Sequence, residues 1–335
     1  MRGIDVGEVL LLHTQERSVL VDLPAWARLA GHELLSVADR GNGAGPWRLA
    51  ILRGHRRDHG AGTQSHEDSF TTGSAVPVGS RLWLYSNFHC NLACDYCCAG
   101  SSPKADPRML PQDIAAAAVD EFVAQGGREL LITGGEPFLH PELGAMVSYA
   151  AERVPVVILT NAMVFGRGAR RTTLEAMDRQ RVTLQVSLDS AGPGIHDRQR
   201  GAGSHARALA GIGLARELGF RLRVAATLHD EDLSSVSRLH AALDNLGVAS
   251  EDRLIRPVAE EGFADHGLHI SLDTVEPEPT LTVDGIWWHP VAVTNPHLRV
   301  AHSPLPLASA FEVIRDVLAV QAAGVTEGRQ VFRCT

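Results

Sequence analysis

Three cysteines lie within eight residues of this chain, at Cys90, Cys94 and Cys97. Three thiolates this close together cannot all pair as disulfides, but they can bind three corners of an iron–sulfur cube from a single loop. The fourth iron would then have no protein ligand, and a substrate or cofactor could bind it. The spacing therefore favours a cluster that takes part in a reaction over a metal site that only stabilises the fold.

The same cysteines could instead hold zinc in a small interaction module. A structural zinc site needs a fourth Cys or His, and Cys98 or His89 is near enough in sequence to serve. Adjacent cysteines such as Cys97 and Cys98 make a poor tetrahedral pair, which favours the cluster. Cys98 is then expected to be a small buried side chain.

Three further motifs follow the cysteines, and each begins where an apolar run ends. They are Gly134-Gly135-Glu136-Pro137 after the run 129–133, Thr160-Asn161 at the end of 155–160, and Ser187-Leu188-Asp189 at the end of 181–188. The active site of a parallel β/α barrel lies at the carboxyl ends of its strands. If these runs are parallel strands, all of these motifs lie together with the cysteine loop.

The elements that would position these residues alternate between strand and helix from residue 81 onward. Six strands are predicted, at 82–86, 129–133, 155–160, 181–188, 221–228 and 253–256. Helices are predicted between them, at 111–124, 142–153, 172–178, 205–218 and 233–246. This alternation predicts parallel pairing with right-handed crossovers, and therefore a complete or partial barrel.

The two ends of the chain have different patterns. Residues 1–79 are predicted to form a small α+β unit with strands at 9–13, 18–22 and 47–52, helical character at 24–35, and a linker from residue 58. After residue 258 the alternation stops, and a hairpin turning at Asp284-Gly285 precedes an amphipathic helix over 308–322. The predicted domains are residues 1–79, 80–258 and 259–335.

The cysteine spacing, with Tyr96 before the third cysteine, and the order of the later motifs resemble the radical S-adenosylmethionine (radical SAM) superfamily. The resemblance implies an α/β fold with a partial (β/α)6 TIM-like barrel. The C-terminal segment resembles the SPASM or twitch extensions that carry auxiliary clusters. This segment differs from those extensions because its single cysteine is Cys334. His289 stands where the first cysteine of such an extension is expected. Two candidate ligands do not complete a cluster.

The resemblance implies two cofactors, a [4Fe-4S] cluster on Cys90, Cys94 and Cys97, and S-adenosylmethionine bound at its open iron. Reductive cleavage would give a 5′-deoxyadenosyl radical that takes a hydrogen atom from the substrate. The implied contacts to S-adenosylmethionine are Tyr96 near the adenine, Gly134, Gly135 and Glu136 near the methionine amino group, Asn161 and Ser187 at the ribose or methionine, and Arg200 or Arg198 at the carboxylate.

Composition limits the partners of this chain of 335 residues. Its net charge is −8 and its isoelectric point is near 6.0, which argues against nucleic acid or an anionic membrane as the main partner. No signal-peptide core or long apolar stretch is evident, so a cytoplasmic location is expected. An electron donor such as ferredoxin or flavodoxin is implied by the resemblance.

The substrate and even the presence of catalysis stay open from the sequence. The substrate would be a peptide, which residues 1–79 could clamp, or a small molecule such as a sugar nucleotide or nucleoside. The alternative function is a non-catalytic iron–sulfur protein that senses redox state or binds a ligand on the same barrel. The intact Gly134-Gly135-Glu136-Pro137 segment beside intact cysteines favours an enzyme.

Overall fold

The computed structural model describes residues 9–14, 33–38, 47–52, 78–272 and 274–323, together with residues 19 and 23. The chain divides into two compact units, residues 1–73 and 74–335. The predicted boundary between residues 79 and 80 lies near this division, whereas the one between 258 and 259 falls inside the second unit. The domain assignment stays a prediction.

The described part of the first unit is an antiparallel sheet. It contains β1 (Val9–Thr14), β2 (Glu33–Ala38) and β3 (Trp47–Leu52), in the order β1-β3-β2. The predicted helical character of 24–35 is wrong at its end, because β2 begins at Glu33 and its pairing with β3 overrides the local pattern. Val19 is helical, so the strand predicted at 18–22 is not supported there. The rest of that strand, residues 24–32 of the predicted helical stretch and residues 58–77 of the predicted linker lie outside the described residues.

A nine-stranded sheet forms the centre of the second unit, in the order β12-β11-β10-β4-β5-β6-β7-β8-β9. Six of its strands are parallel and follow chain order: β4 (Arg81–Tyr85), β5 (Glu129–Thr133), β6 (Val156–Thr160), β7 (Val182–Ser187), β8 (Arg221–Leu228) and β9 (Arg253–Pro257). The helices between them are α1 (Gln112–Ala124), α2 (Leu143–Ala151), α3 (Gly168–Ala176), α4 (Pro193–Arg200), α5 (Ser204–Glu217) and α6 (Val236–Asn245). The predicted α/β partial barrel is confirmed, and α4 is an additional helix.

Both faces of β4, β5 and β6 are covered, which explains why these strands are nearly continuous apolar runs in the sequence. On one face, residues such as Leu82 and Leu84 pack in the large core with the helices. Trp83 lies between these two leucines on β4, so its side chain faces the opposite side of the sheet. There it packs in a second core with Trp288 and Ile314 of the C-terminal segment. The C-terminal segment therefore packs against the face of the barrel that the helices leave open.

The C-terminal segment also extends the sheet. Its elements are β10 (Thr280–Thr282), β11 (Gly285–Trp287), β12 (Arg299–Ala301) and α7 (Leu307–Ala323). β10 and β11 form the predicted hairpin, but Thr282 pairs with Gly285, so the turn residues are Val283 and Asp284, one position earlier than predicted. β10 also pairs in parallel with β4. Among the described helices, none is both long and apolar enough to cross a bilayer.

Candidate active site

One pocket at the carboxyl ends of the barrel strands gathers most of the predicted site residues. Its lining includes Cys90, Cys94, Tyr96, Cys97, Gly134, Gly135, Asn161, Ser187 and Arg200. It also includes Ser101, Thr227 and Arg256, which the sequence reasoning missed. Thr227 and Arg256 lie near the ends of β8 and β9, so the strand-end argument that found Asn161 could have found them too.

The three cysteines of the loop after β4 are free thiols in this pocket. Burial raises the pKa of Cys90 to about 12 and that of Cys94 to about 11, so both stay protonated until a metal replaces the proton. Among the described residues, no three His, Cys, Asp or Glu side chains lie close enough to hold a single metal ion. A cluster does not need such a group, because its thiolates bind different irons.

Backbone amides already point at two of these sulfurs. Leu92 N donates to Cys90 Sγ over 3.4 Å, and Ser101 N donates to Cys97 Sγ over 3.3 Å. Hydrogen bonds to cluster sulfurs stabilise the thiolates and help to set the reduction potential. The donor set and its amide contacts therefore fit an iron–sulfur cluster held by this loop.

The two glycines after β5 allow the loop to lie against the cysteine loop. A Cβ on Gly134, whose φ is +146°, would be 2.5 Å from Asn87 O, and one on Gly135 would be 2.2 Å from His89 O. The backbones are joined by hydrogen bonds from Gly135 N to Asn87 O (2.9 Å) and from Glu136 N to His89 O (3.0 Å). The sequence reasoning assigned these glycines to cofactor approach, and the structure adds that they are needed for the packing of two loops.

Glu136 is fully buried and is not among the residues that line the pocket. Its Oε1 accepts hydrogen bonds from Phe138 N (3.1 Å) and Thr160 Oγ1 (2.8 Å), and its Oε2 accepts one from Asn161 N (2.9 Å). Burial nevertheless raises its pKa to about 7. In this geometry the carboxyl group fastens the loop after β5 to the end of β6.

Asn161 connects the end of β6 to the cysteine loop. Its Nδ2 donates to Asn91 Oδ1 over 2.8 Å and lies 3.9 Å from Cys90 Sγ. The next residue, Ala162, is buried and has a φ of +59°, which is unusual for a residue with a side chain. The chain leaves β6 through a tight turn that holds Asn161 at the pocket.

A buried ionic network supports the other side of the pocket. Arg200 donates from Nε to Asp189 Oδ2 (2.6 Å) and from a terminal nitrogen to Oδ1 (3.2 Å), while Tyr96 Oη donates to Oδ2 (2.7 Å). Although burial opposes its ionisation, the Arg200 guanidinium holds the pKa of Asp189 below its ordinary value. The network holds the Tyr96 side chain in place, and Tyr96 lies along the chain between Cys94 and Cys97, two of the predicted cluster ligands. It also leaves Arg200 lining the pocket with its charge already paired.

His196 of α4 lies directly behind this network. Its Nδ1 accepts a hydrogen bond from Asp189 N over 3.1 Å, and burial lowers its pKa to about 4, so the ring is neutral. Arg198, the other arginine suggested by the sequence, is half-exposed and pairs with Asp232 and Glu231. Arg198 does not line the pocket.

The C-terminal segment closes the remaining side of the pocket and contacts the cysteine loop. Pro290 and Val291 line the pocket, Phe263 N donates to Cys97 O (3.0 Å), and Thr294 Oγ1 donates to Cys98 O (3.0 Å). His289 is fully buried but does not line the pocket. Cys334 lies outside the described residues, so the structure does not test an auxiliary site at these two residues, which the sequence left open.

Comparison with known proteins agrees with this geometry. Residues 86–243, which contain the cysteine loop and strands β5 to β8, match the radical SAM superfamily. This segment of the chain belongs to the radical SAM superfamily. The cofactors of the superfamily are a [4Fe-4S] cluster and S-adenosylmethionine, and the thiol set and the pocket beside it suit both.

Several curated relatives align with the radical SAM part of the chain. The antilisterial bacteriocin subtilosin biosynthesis protein AlbA of Bacillus subtilis is 30% identical over 56% of this chain and 42% of its own length. The PqqA peptide cyclase of Ruegeria pomeroyi is 30% identical over 49% and 43%. The AdoMet-dependent heme synthase of Methanosarcina barkeri is 28% identical over 48% and 46%. The chain thus spans less than half the length of these relatives.

A solved structure shares the fold. The structure titled native anSMEcpe with bound AdoMet superposes with a TM-score of 0.55 at 10% identity, over 70% of this chain and 82% of that one. At this identity the likeness shows that the two chains share a fold and says nothing about the reaction.

Proposed function

We propose that this chain is a radical SAM enzyme that cleaves S-adenosylmethionine reductively and abstracts a hydrogen atom from a peptide in a biosynthetic or maturation pathway. One observation carries the proposal. Three free cysteines of one loop line the same pocket as the glycine loop after β5 and the polar residues at the ends of β6 and β7. When bound there, the cluster and S-adenosylmethionine together supply a 5′-deoxyadenosyl radical.

The chain's own residues would bind and orient S-adenosylmethionine. Asn161 and Ser187 offer polar side chains at the ends of adjacent strands, and the loop at Gly134 and Gly135 exposes backbone polar groups to the pocket. Tyr96 is held in place by Asp189, and this supports its proposed position near the adenine. Glu136 serves these groups indirectly, because its carboxyl accepts hydrogen bonds that fix the end of β6.

Arg200 is proposed to contact the cofactor carboxylate, with Asp189 as a permanent partner behind it. The pair brings no net charge, so the contact would depend on guanidinium N–H groups that Asp189 does not use. Arg256, whose Nε donates to Thr227 Oγ1 over 3.1 Å, lies on the β9 side of the same pocket. Arg256 is a candidate for the substrate side, where Pro290 and Val291 also lie.

The second role that we propose is the exclusion of water from the pocket, and we assign it to the C-terminal segment. A reactive radical must be kept from solvent and stray hydrogen donors. The C-terminal segment would do this, because it is fastened to the cysteine loop through Cys97 O and Cys98 O. At Gly262 a Cβ would lie 2.2 Å from Cys97 O, so the two backbones are in close contact.

Anaerobic reconstitution of the full chain, followed by addition of S-adenosylmethionine and dithionite, tests the chemistry. We expect release of 5′-deoxyadenosine by the wild type and by Cys98→Ala, which removes a neighbouring thiol with the same substitution. Cys94→Ala should release none. A wild type that binds the cluster but never cleaves S-adenosylmethionine would contradict the enzyme and leave the non-catalytic alternative.

The peptide is favoured as substrate by relatives named for a bacteriocin and for a peptide cyclase. The heme synthase relatives keep a small molecule as the second candidate. A short precursor-peptide gene beside the gene for this chain would supply the candidate substrate, and the test is that peptide in deuterated form, with 5′-deoxyadenosine analysed by mass spectrometry. Deuterium transfer from the peptide supports the proposal. Steady release of 5′-deoxyadenosine without deuterium, over many turnovers, would refute the peptide and leave the radical chemistry intact.

A further inference from the structure

A second pocket lies on the same edge of the barrel, in the loops after β7 and β8. It is lined by Ser190, Ala191, Gly192, Gly194, Ile195, Ser235 and Arg238. None of the residues that line the first pocket is among them. The second pocket is therefore separate from the proposed cofactor site.

The amino terminus of α4 opens into this pocket. The helix begins at Pro193 after Gly192, which has no side chain to cap it, and Ser190 Oγ accepts a hydrogen bond from His196 N (3.1 Å). The first amides of a helix have no partner within the helix, and in the described part of the chain the N–H groups of Gly194 and Ile195 have none elsewhere. A Cβ on Gly192 or Gly194 would have no atom within 4 Å, so the space beside these amides is open.

An independent observation is a buried hydroxyl without a partner. Ser235 is 3% exposed and lines the pocket, and its Oγ makes no hydrogen bond to any residue that the structure describes. It directly precedes α6, yet its side chain does not cap that helix. Because a buried hydroxyl without a partner is destabilising, Ser235 points to a ligand that would complete the site.

The charges around the pocket are suited to an anion. Arg238 is exposed in the first turns of α6, and among the described residues it has no ion pair or hydrogen bond. Two of the acids in the loop before Ser235 are already engaged, since Glu231 and Asp232 pair with Arg198. Asp197 accepts hydrogen bonds from Gly203 N and His205 N. None of the residues that line the pocket is acidic.

We propose that this pocket binds an oxyanion of the phosphate type. The amides of Gly194 and Ile195 and the hydroxyl of Ser235 would donate to its oxygens, and the guanidinium of Arg238 would supply a charged hydrogen bond. The positive end of the α4 dipole favours the same charge. The proposal does not depend on radical SAM activity, because it concerns a site outside the cofactor pocket.

The direct test is calorimetric titration of the full, reconstituted chain with inorganic phosphate, at constant ionic strength balanced by chloride. We expect saturable binding at one site in the wild type. Arg238→Gln should weaken it about tenfold or more, as expected for loss of a hydrogen bond between ionised groups. Arg207→Gln is the matched control, because Arg207 is an exposed arginine of α5 whose hydrogen bonds, among the described residues, go only to the carbonyls of Gly203 and Ala202.

The outcomes that overturn the proposal are defined in the same titration. Absence of saturable binding would mean that phosphate associates only nonspecifically with surface charge. Equal losses of phosphate affinity in Arg238→Gln and Arg207→Gln would mean the same. Acetate that binds as tightly as phosphate would refute the phosphate assignment.

Ser235→Ala gives a second readout through thermal unfolding. In chloride its melting temperature should equal or exceed that of the wild type, because the hydroxyl has no partner to lose. Phosphate should raise the melting temperature of the wild type more than that of this variant. A variant that is already less stable in chloride would show that the hydroxyl serves the fold, which would overturn its assigned role.

Discussion

Two glycines on one helix provide a matched test of how α5 supports the cofactor site. A Cβ on Gly211 would lie 2.1 Å from Ala162 O and 2.7 Å from Ala162 Cβ. A Cβ on Gly213, two residues further along the same helix, would meet no atom within 4 Å. The same Gly→Ala substitution should therefore have opposite effects at the two positions.

The magnitudes follow from helix propensity and packing. Replacing a helix-interior glycine with alanine stabilises by about 0.5–1 kcal/mol, and Gly213→Ala should gain this amount. At Gly211 the same gain is offset by overpacking, which costs about 1–3 kcal/mol, and the obstructing atoms belong to the backbone of a tight turn. Because both variants share the helix-propensity gain, we expect their free energies of unfolding to differ by the overpacking cost alone, about 1–3 kcal/mol.

Urea unfolding of the two variants and the wild type under anaerobic conditions measures this difference. A second readout is the affinity for S-adenosylmethionine, because Ala162 follows Asn161, which reaches the cysteine loop through Asn91. Gly211→Ala should weaken binding, and Gly213→Ala should leave it unchanged. Equal stability of the two variants would refute the close packing of α5 on the turn after β6.

Two further predictions concern the network behind Tyr96. Asp189→Asn leaves the Arg200 side chain, which is 9% exposed, without its partner, and this should cost about 3–5 kcal/mol of unfolding free energy in urea. An Asp189→Asn variant as stable as the wild type would contradict the network. For His196, burial lowers the pKa from 6.5 to about 4, so the unfolded chain binds more protons between these values. Stability should therefore fall as the pH drops through this range, and His196→Gln should flatten that part of the curve. An unchanged pH profile in His196→Gln would show that His196 is not the group responsible.

The parallel strands could be predicted because most of them are short, largely apolar runs that end at a polar or glycine-rich motif, and because strands and helices alternate along the chain. Since parallel strands place their carboxyl ends together, the same pattern also predicted that Cys94, Asn161 and Ser187 would meet. The turn of the β10–β11 hairpin was predicted one residue late, because the sequence Asp284-Gly285 suits a turn. In the structure Gly285 instead allows β11 to pack on Ala301, where a Cβ would lie 2.1 Å from its oxygen.

Other features depend on contacts that local patterns do not contain. The parallel pairing of β10 with β4 joins Thr280 to Trp83, and nothing near either residue indicates the partner. The role of Asp189 as the partner of both Tyr96 and Arg200 likewise requires three separate segments to be packed. β2 begins inside a stretch with helical character, because its neighbour β3 determines its conformation.

The central claim is that Cys90, Cys94 and Cys97 hold a four-iron cluster and leave one iron open for S-adenosylmethionine. Mössbauer spectroscopy of protein reconstituted with ⁵⁷Fe tests it most directly. We predict that S-adenosylmethionine changes the signal of one iron in four in the wild type, and that Cys94→Ala retains no such cluster. A spectrum that S-adenosylmethionine leaves unchanged, or an intact cluster in Cys94→Ala, would contradict the account.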